Sequence, residues 1–139
     1  MRIIKEIVSN QLDPTLVNLF SYVISQDRIA GEYEKYITSE NRKLYGILVE
    51  NNFIGIIGFE FTNLDVCEIR HIAVSPKFRG KRIGSDMINF VRESHSFMEL
   101  SAETDKDAVG FYRNYGFAIT RLGEKYVGVE RFWCVFTEI

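Results

Sequence analysis

Apolar residues along this chain keep changing their spacing, and each spacing marks an element. Residues Arg2 to Val8 read as an edge strand. Asp13-Pro14 starts a helix, because the carboxylate caps free amides and proline fits the first turn. Leu16, Leu19, Phe20 and Val23 carry that helix on one face to about Ser25. A second short helix spans Arg28 to Ile37 and presents Tyr33, Tyr36 and Ile37, leaving Glu32, Glu34 and Glu40 for water. A hairpin follows: Leu44 to Glu50, a tight turn at Asn51-Asn52, and Phe53 to Phe61. Gly55 and Gly58 inside the return strand predict a bulge or a close backbone approach. After a turn at Asn63-Leu64-Asp65 comes the strand CEIRHIAV from Cys67, which Ser75-Pro76 stops because proline has no amide proton to give.

The second half continues with a basic loop, KFRGKRIG, that runs into a helix from Gly84 to Glu93, with Ile83, Met87, Ile88, Phe90 and Val91 at helical spacing. A right-handed crossover then leads to a parallel strand near Phe97 to Ala102. Asp105 to Tyr115 forms another helix, closed by Gly116. Phe117 to Thr120 and Arg131 to Glu138 make a last strand pair, joined by a loop from Leu122 to Val129. This order predicts an α+β fold: one domain over residues 1–139, with a mixed sheet of six to seven strands and about four helices on its two faces.

Composition narrows the classes without naming one. With 46% hydrophobic and 26% charged residues the chain is an ordinary globular protein. Its formal net charge of -2 argues against non-specific nucleic-acid binding. No apolar run is long enough to span a bilayer and no signal-peptide core is seen, so the expectation is a cytoplasmic protein without a membrane partner. Cys67 and Cys134 have no metal-ligand spacing and read as buried reduced thiols; no metal is expected.

The loop before the third helix carries the candidate chemistry. The first amides of a helix lack partners inside it, and the dipole adds roughly half a positive charge there. Arg79, Lys81 and Arg82 surround that end, which suits a phosphate group. A magnesium-binding P-loop is excluded, because Gly80-Lys81 is followed by Arg82 rather than Ser or Thr. Gly80 and Gly84 do not fit the dinucleotide spacing either. Taken alone, the loop is equally compatible with a surface turn that has a basic rim.

Three motifs together resemble one family. Arg79-Gly80-Lys81-Arg82-Ile83-Gly84 is similar to the pyrophosphate loop of the GNAT acetyltransferases, with Arg82 where the family's first motif glycine stands. Phe111-Tyr112-Arg113-Asn114-Tyr115-Gly116-Phe117 resembles the family's aromatic pair followed by Gly-Phe, and Glu68 to Val74 resembles the strand of its histone-acetylating branch. The resemblance implies a splayed V between the two middle strands and acetyl-CoA as cosubstrate. It implies backbone contacts from Ile72, Ala73 and Val74 to pantetheine, and a diphosphate seat over Arg79, Gly80, Lys81, Arg82, Ile83, Gly84 and Ser85. Phe111 would line the far wall. Asp105 stands where the family often has a pantetheine-binding asparagine, and an aspartate cannot donate as an amide does.

In acetyl transfer to an amine, deprotonating the acceptor is the larger task. A lysine-like amine with a pKa of about 10.4 is nucleophilic in only about one molecule in a few thousand near pH 7, whereas a thiol near 8.5 leaves readily. By resemblance Glu68 is the candidate base and Tyr112 the candidate acid. Glu68 has a plainer alternative, an ion pair with Arg70, and Tyr112 has one in core packing. Strand alternation puts Glu68, Arg70 and Ile72 on one face and the rival base His71 on the other, unless a bulge shifts the phase; Glu99 and Glu103 are weaker rivals. The resulting expectation is an N-acetyltransferase acting on a primary amine, small molecule or peptide, by direct attack in a ternary complex. The alternative is an acyl-CoA-binding sensor without turnover. Acidity near the mouth favours a cationic acceptor. Dimerisation stays open, although the apolar final strand with Phe132, Trp133, Val135 and Phe136 offers a surface for pairing across a two-fold.

Overall fold

In the computed structural model of the chain, which describes residues 2–137, the alternating segments form one seven-stranded mixed sheet. Its strands are β1 (Arg2–Glu6), β2 (Arg42–Val49), β3 (Asn52–Phe61), β4 (Val66–Val74), β5 (Glu99–Asp105), β6 (Ala118–Tyr126) and β7 (Val129–Phe136). The order across the sheet is β1-β2-β3-β4-β5-β7-β6. Every neighbouring pair is antiparallel except β4 and β5, which run parallel. The helices are α1 (Pro14–Phe20), α2 (Ile29–Thr38), α3 (Ile83–Ser94) and α4 (Val109–Tyr115). No helix among the described residues is long and apolar enough to cross a membrane.

Two cores lie on opposite faces of the sheet. Met87, Ile88 and Val91 of α3 and Tyr112 of α4 pack with Ile57, Phe59, Cys67, Ile69 and Leu100. Leu16, Leu19 and Phe20 of α1 and Tyr33 and Tyr36 of α2 pack with Leu44, Ile56 and Ala73. Cys67 and Cys134 are both buried free thiols.

Several features differ from the sequence pattern. α4 starts at Val109 rather than at Asp105, because β5 runs on from Glu99 to Asp105, whose carboxylate then caps the turn before the helix. α1 ends at Phe20 rather than near Ser25. The Ser21 hydroxyl donates to the Asn18 carbonyl, and Tyr22 and Val23 bond three residues back, so the helix tightens and stops. Glu32 does not face water freely: its carboxylate lies 2.9 Å from Lys35 and 3.5 Å from Arg42. The β2–β3 turn falls one residue early, on Glu50 and Asn51, whose φ values of 50° and 67° suit a two-residue hairpin. The expected loop from Leu122 to Val129 is mostly strand. β6 and β7 form a long hairpin that turns at Val127-Gly128, and its register slips at Leu122 and Lys125. Each slip is a β-bulge, which breaks the two-residue alternation by which a strand is recognised. β7 lies between β5 and β6 with both edges paired, so neither of its edges is open to a partner strand; β6 is the edge. Of the expected last strand, Glu138 lies outside the described residues.

Candidate active site

β4 and β5 are paired only from Val66↔Glu99 to Ile69↔Ala102. Beyond that point they part, and a cavity of about 640 Å³ opens between them. Ile72, Ala73 and Val74 form one wall and Phe111 and Tyr112 the opposite one, while Arg79 and Gly84 close the end nearest α3. At the other end stand Arg70, His71, Glu103 and Arg131.

The phosphate-loop candidates sit at the start of α3. Gly80 has φ +76°, and Arg82, the residue before the helix, has φ 64° and ψ 19°. That is the left-handed conformation, which costs a non-glycine residue about 1–2 kcal/mol. Arg82 therefore holds a strained left-handed dihedral in place of the helical backbone on which its own amide was expected to point at a phosphate, which leaves its neighbours' amides as the candidates. The Ile83 side chain is buried in the core, so only its backbone is available to a ligand. Ser85 is half-buried in the first turn, and the Lys81 ammonium lies 5.6 Å from the centre of the Phe78 ring. Arg79 is pinned: its Nε donates to the Val74 carbonyl at 3.0 Å, and its guanidinium lies 5.1 Å from the Tyr22 ring centre. A Cβ added at Gly84 would come within 2.9 Å of the Phe111 ring, so this glycine lets the aromatic wall reach the helix start.

Asp105 turns inward on its own chain. Its Oδ1 accepts from the amides of Asp107 and Ala108, each at 3.0 Å, and so fixes the turn into α4. Tyr112 is 4% exposed and stacks edge-on against Phe111 and Phe117. Burial, with the nearby Cys134 and Asp105, pushes its phenol well above the usual range.

β4 carries the bulge that reverses its pattern. Gly58 pairs with His71 but Phe59 pairs with Ile69, so Arg70 is the extra residue. Past the bulge Ile72 joins the face of Cys67 and Ile69, while His71 joins the face of Glu68. Uniform alternation had put them the other way round. Glu68 is opposite Ser101 at the closed end of the V and is not part of the cavity wall. It lies 3.3 Å from Arg70, which also reaches Glu60 at 3.1 Å. Burial, joined by the neighbouring carboxylates of Glu60 and Glu103, raises its pKa against the pull of Arg70 and Arg42. His71 Nδ1 meets the Tyr36 hydroxyl at 2.6 Å, and burial lowers this imidazole to about 4. Glu103 moves the other way: hydrogen bonds from Lys125 and Arg131 hold its carboxyl below the usual range.

Against this geometry, residues 40–119, more than half of the chain, match the family model of an acetyltransferase (GNAT) domain. The chain belongs to the GNAT acetyltransferase family. The matched residues include β4, α3, β5 and α4, the elements around the cavity. Over 67 residues the chain is 36% identical to an uncharacterized N-acetyltransferase from the lysA 3′ region of Bacillus methanolicus. That match covers 48% of this chain and 56% of the relative. Among solved structures, an aminoglycoside 6′-N-acetyltransferase complexed with coenzyme A superimposes with a TM-score of 0.84 at 19% identity, over 99% of this chain and 97% of that one. A GNAT family acetyltransferase from Elizabethkingia anophelis with acetyl-CoA bound gives 0.73 at 22% identity, over 98% and 97%. At such identities these structures are alike in fold.

Several wall residues, Tyr22 and Arg131 among them, had no place in the sequence reading of the site, and Arg70 entered it only as a partner for Glu68, a pair that the structure contains. Tyr22 reaches the cavity because α1 ends early, Arg70 because the bulge turns it there, and Arg131 because β7 lies beside β5. The glycines of β3 were the one available signal for the bulge, since Gly58 pairs immediately beside it.

Proposed function

We propose that the chain transfers an acetyl group from acetyl-CoA to a primary amine, the amine attacking directly in a ternary complex. The observation that carries this is the forked β4–β5 pair, whose cavity joins the start of α3 to Tyr112. The residues present fit such a ligand. The amides around Gly80 and at the start of α3 suit a diphosphate, since the first amides of a helix have no partner inside it. The edge of β4 that faces away from β3 has no strand partner from Arg70 to Val74, so the backbone of Ile72 and the amide of Val74 suit an extended amide-bearing arm, while the Val74 carbonyl already accepts from Arg79 and the register turns the amide and carbonyl of Ala73 toward β3. Phe111 offers an apolar wall. Acetyl-CoA would supply an activated acyl group with a thiol as leaving group.

The remaining work is proton transfer, and it falls to the chain's own groups. Glu68 is the proposed base, acting through water because its carboxylate stands outside the cavity wall. Burial raises its pKa, the direction that suits a base, while His71 is lowered to about 4 and is tied to Tyr36. Tyr112 is the proposed acid: its phenol holds its proton over the working pH range and borders the cavity. The backbone amide of Ile72 would polarise the acyl oxygen. The test is thiol release from acetyl-CoA across a panel of primary amines, with coenzyme A binding measured on the same sample. Release with at least one amine is the expected result. Binding without release for any amine would favour the sensor reading, and no binding would remove the family's chemistry from this chain.

A further inference from the structure

We propose that Lys125 is an acetyl acceptor within the same chain, presented to the cavity by Glu103. This rests on the acetyl-transfer reading above. Lys125 stands on β6, two strands away from β5, so their backbones are roughly 10 Å apart. Here the second bulge of β6 falls on Lys125 itself, and a bulge re-aims the side chain that it carries. Its ammonium crosses β7 and meets Glu103 Oε1 at 2.7 Å. Arg131 of β7 holds the other oxygen, Oε2, at 3.1 Å, so the carboxylate is clamped from two sides. Glu103 is part of the cavity wall that also contains Tyr112 and Ile72. Lys125 is not itself part of that wall, but its ammonium is one hydrogen bond away from it, on the carboxylate of Glu103.

The step balances without any further reagent. Glu103 takes a proton from the Lys125 ammonium, and the freed Nζ attacks the thioester carbonyl carbon. The C–N bond forms and the C–S bond breaks, its electron pair leaving with the sulfur as thiolate. The proton on Glu103 passes to that thiolate or to water. Two effects compete in setting the rate. The Glu103 contact raises the lysine pKa, so fewer than about one molecule in a few thousand carries a free amine near pH 7. Proximity works in the other direction, with effective concentrations of up to about 10⁵ M for well-placed groups. The product amide carries no charge, so acetylation releases Glu103 from Lys125.

The experiment incubates the full chain with acetyl-CoA and no added amine, then reads the intact mass and maps the modified peptide. Acetylation of Lys125 is expected to run at least about tenfold faster than at the exposed Lys77 and Lys106, as proximity implies, at a rate independent of chain concentration. Lys125→Arg should abolish that product, and Glu103→Gln should slow it by about tenfold, the low end for losing a positioned proton acceptor. Lys125 reacting no faster than Lys77 and Lys106, in a chain that binds coenzyme A and acetylates n-butylamine, overturns the proposal alone. A rate that rises with chain concentration overturns it too. A chain that binds no coenzyme A overturns the acetyl-transfer reading and this proposal with it. One readout needs no acetyl donor: in carbon-13-lysine-labelled chain the Lys125 resonance should titrate at higher pH than in Glu103→Gln. Equal midpoints would remove Glu103 as its seat.

Discussion

His71 makes the acid side of this fold's stability calculable. Its ring is packed edge-on against Phe20 at 5.8 Å and Tyr36 at 5.7 Å, and its side chain is 9% exposed. Burial is the main cause that lowers its pKa from 6.5 to about 4; Arg42, Arg28 and Arg70 add to the effect and Glu32, at 3.8 Å, opposes it. On unfolding the group returns to its ordinary value, so below pH 6.5 the unfolded chain binds a proton that the folded chain refuses. His71 therefore contributes its full stability above about pH 6.5, loses it as the pH falls toward 4, and changes nothing further below that. A difference of roughly 2.5 units at about 1.36 kcal/mol each amounts to about 3 kcal/mol. The assay is urea unfolding at half-unit steps from pH 8 to pH 4, comparing the wild type with His71→Gln. Glutamine does not titrate, and its side-chain oxygen can still accept from Tyr36. The variant should start lower but lose about 3 kcal/mol less across that range, since groups that do not touch residue 71 contribute alike to both chains. Parallel stability curves would refute the reasoning and would mean that His71 takes up its proton inside the fold.

The proposed roles give three more outcomes. Tyr112→Phe should lower turnover by up to about a hundredfold with coenzyme A affinity nearly unchanged; an unaltered rate in a thiol-release assay removes it as the acid. Glu68→Gln should depress the rate most at neutral pH and recover as the pH rises and the amine deprotonates by itself; a uniform loss across the pH-rate profile would assign Glu68 a structural role. Arg82→Gly should raise unfolding free energy by about 1 kcal/mol by relieving the left-handed residue, whereas Arg82→Ala should not, and equal denaturation midpoints for the two would contradict that strain.

Much of the architecture follows from local rules that the sequence carries by itself. Asp13-Pro14 starts a helix, Ser75-Pro76 stops a strand, and Gly116, at φ 124°, ends α4, each through its own backbone and side-chain chemistry. The order of β4, α3, β5 and α4 and the glycines around Arg82 were legible for the same reason: they depend on neighbours in the chain. The contents of the cavity depended on contacts between distant segments. A single extra residue at Arg70 puts His71 on the Glu68 face, and no spacing rule predicts where such a bulge falls. Gly58 shows why: a Cβ there would lie 2.2 Å from the Tyr36 hydroxyl, so its absence matters only once α2 is packed over β3. Lys125 meets Glu103 across β7, from an edge strand whose two bulges set which face each of its residues takes. Backbone geometry is set by residues a few positions apart, and side-chain encounters across a sheet are set by its register, which only the assembled fold decides.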